Sequence, residues 1–327
     1  MGTLMKRSCW TVAVVMVLLS PLSARAQVAT AAPRTGAAFR FAPVNEKSLG
    51  LWEGDRPVLV YNHGVLLKKG VAASFARSSY LHPIYGLDGE VITDDFPADH
   101  LHHRGLFWGW PHVKVGGTEY DNWALRGMAT KFERWLAREA GPTGAVLGVQ
   151  NGWYVGEKRV VDEQVWFRVH PAAAGRRAID VELWLKPLEP VTLSGAEGKS
   201  YGGMTLRFAS GDDTQITVPS GRTGDDLYIN HQPWTDLTRK WPGRKEPSGA
   251  ALFVAKDHPD YPPTWLTRHY GVLCLGWPGV TPKTLPAGEP LRLSYRVWIH
   301  RGTPDAATLG KEYVDYLASP LKPIRPE

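Results

Sequence analysis

The sequence predicts an all-β fold: one large antiparallel β-sandwich closed by a short C-terminal helix. Three observations predict it. Period-two alternation of apolar and polar residues recurs through most of the chain, clearest at 178–188, where Ile179, Val181, Leu183 and Leu185 share one face. Turn formers are abundant, with 34 Gly and 26 Pro in 327 residues. No βαβ alternation and no internal repeat interrupts the pattern.

Taken in order, residues 1–26 read as an export signal. Lys6 and Arg7 precede the apolar run 10–19, and Ala24-Arg25-Ala26 offers a small-x-small cleavage site. The run is too short to span a bilayer, which takes about 20 apolar residues. A periplasmic or secreted protein is expected, with a flexible lead-in at 27–39 and a single sandwich domain over 40–327. Removing Lys6, Arg7 and Arg25 lowers the formal charge from +6 to +3. That weak excess, without a dense basic block, argues against nucleic acid as a partner. Cys274 is the one cysteine beyond the signal, set in LCLGW and expected buried in a strand.

Strands are expected at 57–61, 112–115, 118–123, 145–155, 159–170, 178–188, 201–209, 213–218, 252–255, 271–277 and 291–300. The first ends on Asn62-His63-Gly64, a turn-like triplet. Gly116-Gly117 joins the next two as a hairpin. Segment 129–140 suits either a helix or an exposed strand edge. Segment 219–247 is rich in turn formers and reads as a long loop. The helix is expected from Thr303 as cap and Pro304 in the first turn, with Leu309, Tyr313, Tyr316 and Leu317 on one face before Pro320.

The candidate site lies in YLHPIYGLDGEVITDDFPADHLHHRGLFWGW, residues 80–110. Ionisable side chains this dense are costly to place without a purpose. If the chain is extended, His100 and His102 point to one side and His103 to the other. Such imidazoles can pass protons near neutral pH. His100 and His102 with Asp95 could instead hold a divalent metal. Asp95 is a carboxylate partner for a histidine, and Arg104 suits a bidentate clamp on substrate. Asn62, His82, Tyr85, Arg268 and His269 are further substrate-binding candidates. Trp108 and Trp110, on one face, could form an aromatic wall for a sugar ring. Tyr201, Arg207 and Trp265 are distant residues that a sandwich could fold toward the histidines. No GxSxG elbow, P-loop, dinucleotide fingerprint, HExxH helix or CxxC pair is present.

The segments HPIYGLDG and DDFPADHLHHRG, within a run from RPVLVYNHG to PHVKVGG, resemble a bacterial family of exported proteins bearing the inherited label "methane oxygenase PmoA". The membrane subunit of methane monooxygenase is a bundle of membrane-spanning helices, which this sequence lacks after its signal. The family is one of unknown function, found beside glycan-degradation and sugar-dehydrogenase genes. The resemblance therefore implies a carbohydrate or glycan as partner and a galactose-mutarotase-like supersandwich as fold. Three readings follow: an exported carbohydrate-active hydrolase, lyase or epimerase; a non-catalytic glycan-binding sandwich; or a metal-dependent oxygenase or hydrolase built on the histidines.

Overall fold

A computed structural model describes residues 1–2, 37–319 and 324–325. The expected signal, past its first two residues, and positions 27–36 of the lead-in lie outside them. The described residues from 37 onward form one compact unit.

Two nine-stranded sheets carry the fold, and every strand pairs antiparallel with its neighbours. The first runs in the order Phe39–Asn45, Ser48–Glu53, Arg56–Asn62, Tyr80–Ile84, Leu106–Gly109, Gly203–Arg207, Val272–Gly276, Thr264–Arg268 and Leu227–His231. The second runs Gly221–Thr223, Gln215–Val218, Trp234–Arg239, Ser248–Val254, Leu291–Arg301, Arg176–Pro187, Lys158–Val169, Gly144–Val155 and Ala129–Gly141. A third, four-stranded sheet contains the expected hairpin, His112–Val115 with Thr118–Tyr120.

Alternation decides which side chains meet between the large sheets. Leu59, Tyr61, Leu81, Leu106, Trp108 and Leu206 from the first sheet enter one apolar cluster with Val149, Phe167, Ile179, Val181, Leu183 and Val297 from the second. Burying each such side chain is worth about 1.5–3 kcal/mol, so register in these strands is strongly specified. Cys274 is fully buried in its strand, as expected, and burial pushes its thiol up to about 11. On the outer face of the second sheet, helix α1 (Ala306–Ala318) packs Leu309, Tyr313 and Tyr316 against Phe253 and Trp298.

One open alternative is decided and three expectations are corrected. Segment 129–141 is an edge strand hydrogen-bonded to Gly144–Val155; its charged side chains guard the edge against pairing with another chain. The expected loop at 219–247 contains three strands. Its polar residues misled because Asp236, fully buried, accepts a hydrogen bond from Thr238 at 2.8 Å and pairs with His300 Nε2 at 2.9 Å. The helix cap is Asp305, whose carboxylate accepts the Thr308 N–H at 2.8 Å, so Thr303 and Pro304 lie before the helix. A third sheet accompanies the two expected ones.

Candidate functional site

On the face of the first sheet turned away from the second, Tyr80, Phe107, Leu266, Val272 and Cys274 form a smaller apolar cluster with Trp123. The histidine loop rests on this platform. It is not extended: the His100 N–H bonds the Pro97 carbonyl and the His103 N–H bonds the His100 carbonyl, giving two successive turns. Gly105 then returns the chain to the sheet with φ +39°, at a point where a Cβ would lie 1.9 Å from the Leu81 carbonyl oxygen. Because the loop turns, all three imidazoles come together. His100 and His103 stack at 4.6 Å, and His102 meets His103 edge-on at 4.6 Å. The expected separation of His103 from the other two is thus overturned.

These rings line a cavity of about 130 Å³ with Trp123, Lys199, Tyr201, Leu266, Arg268 and Tyr270. Tyr270 stacks on His100 at 5.3 Å, and Trp123 meets His103 edge-on at 5.4 Å. His100 is partly exposed and its Nδ1 lies 2.9 Å from Asp99 Oδ2. Asp99 Oδ1 in turn accepts from Arg207 Nη2 at 2.8 Å. Burial pushes the Asp99 carboxyl up, but the His100 hydrogen bond and the Arg207 charge outweigh it and hold the group below the usual carboxylate range. An ionised Asp99 can only accept, so Nδ1 of His100 carries the hydrogen, and in the neutral ring it is Nε2 that bears the lone pair.

His102 and His103 are held neutral. Burial, aided by the Arg77 charge, lowers His102 to about 4, and burial with its neighbouring imidazoles lowers His103 well below the histidine range. The Tyr201 phenol is held protonated, raised first by burial and then by Asp121. Tyr201 also lines a neighbouring cavity of about 320 Å³ with Asp121, whose carboxyl is raised by burial.

The remaining predicted residues separate from this cavity. Asn62, His82, Tyr85 and Asp95 line a different one, of about 430 Å³. Within it Asn62 accepts from Ser48 Oγ at 2.8 Å and donates to the His82 carbonyl at 2.7 Å, bracing adjacent strands. His82 Nδ1 is 3.0 Å from Thr93 Oγ1. Arg104 is fully buried. Its Nε donates to Asp95 at 2.5 Å, its Nη1 to the Phe75 carbonyl at 3.0 Å and its Nη2 to Tyr80 Oη at 2.5 Å. Every arm of the guanidinium is used inside the protein, so Arg104 is a strut and not an exposed clamp. The same pair keeps Asp95 away from the histidines, and the set His100, His102 and Asp95 is not assembled. Among the described residues, no group of three or more His, Cys, Asp or Glu side chains is arranged to hold a metal ion.

Trp108 and Trp110 do share a face, but it is the inner one. Trp108 Nε1 donates to buried Glu163 at 2.8 Å and Trp110 Nε1 to the Trp277 carbonyl at 2.6 Å. Both serve the core, and the expected aromatic wall falls instead to Tyr201, Tyr270 and Trp123.

Residues 49–314 match the Family of unknown function (DUF6807). The chain belongs to that family. The match lends no support to the oxygenase label that the resemblance brought. No curated protein matches this DUF6807 member in sequence. Among solved structures it is similar to the galactose mutarotase related enzyme of Lactobacillus acidophilus (10% identity, 82% of this chain, 99% of that one, TM-score 0.34). It is also similar to the α-galactosidase of Lactobacillus brevis (8% identity, 80% and 39%, TM-score 0.38). A heparan sulfate lyase HepC mutant of Pedobacter heparinus gives 8% identity, 83% and 36%, and TM-score 0.36. The chain thus spans less than two fifths of the galactosidase and lyase chains.

Of the distant candidates, Tyr201 and Arg268 reach the DUF6807 cavity and Arg207 supports Asp99, whereas Trp265 is fully buried and donates to the Gln232 carbonyl. His269 stands beside the cavity and binds Asp226 through Nδ1 and its backbone N–H, each at 2.8 Å. Trp123, Lys199 and Tyr270 escaped the sequence reading. Tyr270 directly follows the Arg268-His269 pair, which was the available signal.

Proposed function

We propose that this protein is an exported carbohydrate-active enzyme working by acid–base chemistry in the His100–His103 cavity. The observation that carries this reading is the Asp99–His100 pair, in which an ionised carboxylate fixes the imidazole tautomer at the edge of a cavity walled by aromatic rings. His100 Nε2 serves as the base that takes a proton from the sugar. The Tyr201 phenol, kept protonated, stands as the donor. Tyr270 and Tyr201 offer π-faces to a sugar ring. His103, buried on the platform, positions His100 by stacking. Hydrolysis, elimination and epimerisation all use such a pair of proton transfers.

The test is a screen of purified protein against glycosides, followed by His100→Gln and Asp99→Asn on any substrate found. Turnover falls by about 10²–10⁴ in His100→Gln, the usual share of one general base, with the melting temperature within about 2 °C of wild type. Saccharide binding with no turnover on any substrate, and affinity indifferent to His100, would favour the glycan-binding reading.

A further inference from the structure

The wall of the histidine cavity holds two cationic side chains, Lys199 and Arg268, and no carboxylate. Behind it the excess grows. Arg207, 4% exposed, bonds Asp99 through Nη2 alone, while its Nε and Nη1 have no partner. Arg77, fully enclosed by its neighbours, donates to the backbone carbonyls of Asn122 and Trp123, and its Nη1 has no partner. The nearby acids are committed: Asp99 to Arg207 and His100, Asp226 to Arg268 and His269, and Asp121, beside Arg126, to the Ala124 N–H. With Arg126 and Asp121 included, five cations therefore face three carboxylates around a small space, and a field of that sign is satisfied by an anion.

We propose that the saccharide bound here carries a carboxylate, as a uronic acid does, seated between Lys199 and Arg268 at the mouth of the cavity. This rests on the carbohydrate reading above and narrows it to acidic sugars. The guanidinium and ammonium take the carboxylate, and the imidazoles at the cavity wall contact the ring. A neutral sugar offers Lys199 no counter-charge and adds none to the Arg268–Asp226 pair, and so binds less well.

Calorimetric titration of the wild-type protein with D-glucuronate and with D-glucuronamide, its uncharged isostere, reads this directly. Glucuronate binds about tenfold more tightly, the size of one charge-assisted contact. The gap shrinks below about twofold in Lys199→Ala, an exposed position whose change leaves folding intact, and in Arg268→Gln. Equal affinity for the two probes, no binding of either, or a gap that persists in both variants overturns the proposal. Turnover of uncharged glycosides by a protein without glucuronate preference would leave the acid–base reading standing and sink this one. Glucuronate preference in a protein that turns over nothing would do the reverse.

Discussion

Arg104 shows how a residue's chemistry depends on what its donors already hold. A guanidinium beside a histidine cluster suggests a substrate clamp, yet here it bonds Asp95, Tyr80 and the Phe75 carbonyl and lies over the Phe96 ring at 3.4 Å. Arg104→Met strands a largely buried carboxylate, and breaking such a pair costs about 3 kcal/mol or more. Urea unfolding is expected to register that loss, whereas Lys199→Met, at an exposed position of the cavity wall, stays within about 1 kcal/mol of wild type. Wild-type stability with turnover abolished in Arg104→Met would restore its role as a clamp. Glu163 follows the same logic in the core. It sits at an apolar position of its strand because Trp108, Trp153 and Asn151 all donate to it, at 2.8, 2.6 and 2.7 Å.

At the scale of elements, the loop from Pro97 to Gly105 makes the site. Its two turns convert a sequence cluster into a spatial one, and Gly105 allows the chain to rejoin the sheet beside Leu81. Gly105→Ala places a methyl group against backbone and demands a positive φ of a residue that resists it. A destabilisation of at least about 2 kcal/mol is expected, measurable by urea unfolding and accompanied by loss of turnover. A variant with unchanged stability would show that the loop's path is not dictated there.

Most strands and the helix were legible because burial follows period 2 or 3.6, as at Ile179–Leu185 and Leu309–Tyr316; the first two strands and the three within 219–247 were not. The site was legible in part. Local density marked His100, His102 and His103, and Arg268 stood among the further substrate-binding candidates. Extended-chain geometry gave the wrong sides for the imidazoles, since turns at 97–103 depend on contacts with the platform. Trp108 and Trp110 were placed on one face correctly. Which face meets the core depends on Glu163 and Trp277, residues far along the chain.

Over the whole molecule, buried neutral histidines give stability a pH slope. Burial is the first cause of the lowered values of His102 and His258, each about 4, and of His103 and His82. A histidine that resists protonation when folded but not when unfolded contributes its full stability above about pH 6.5, the unfolded value. That contribution is lost as pH falls toward the folded value, by up to about 1.4 kcal/mol per pH unit for each group. Glu163 and Asp121, raised by burial, act in the opposite sense, but the four histidines outnumber them. The melting temperature should therefore drop between pH 7 and pH 4.5, less steeply in His102→Gln. A flat profile over that range would mean that these rings are solvated.

Two cavities divide the residues that the sequence grouped together, and the account assigns function to the one holding His100, His102, Tyr201 and Arg268. Imidazole ¹⁵N resonances of the folded protein, followed while glucuronate or an active glycoside is added, separate the two most directly. Saturable shifts at His100 and His102, with His82 unmoved, are the predicted result. Shifts confined to His82, in the cavity of Asn62, Tyr85 and Asp95, would contradict it.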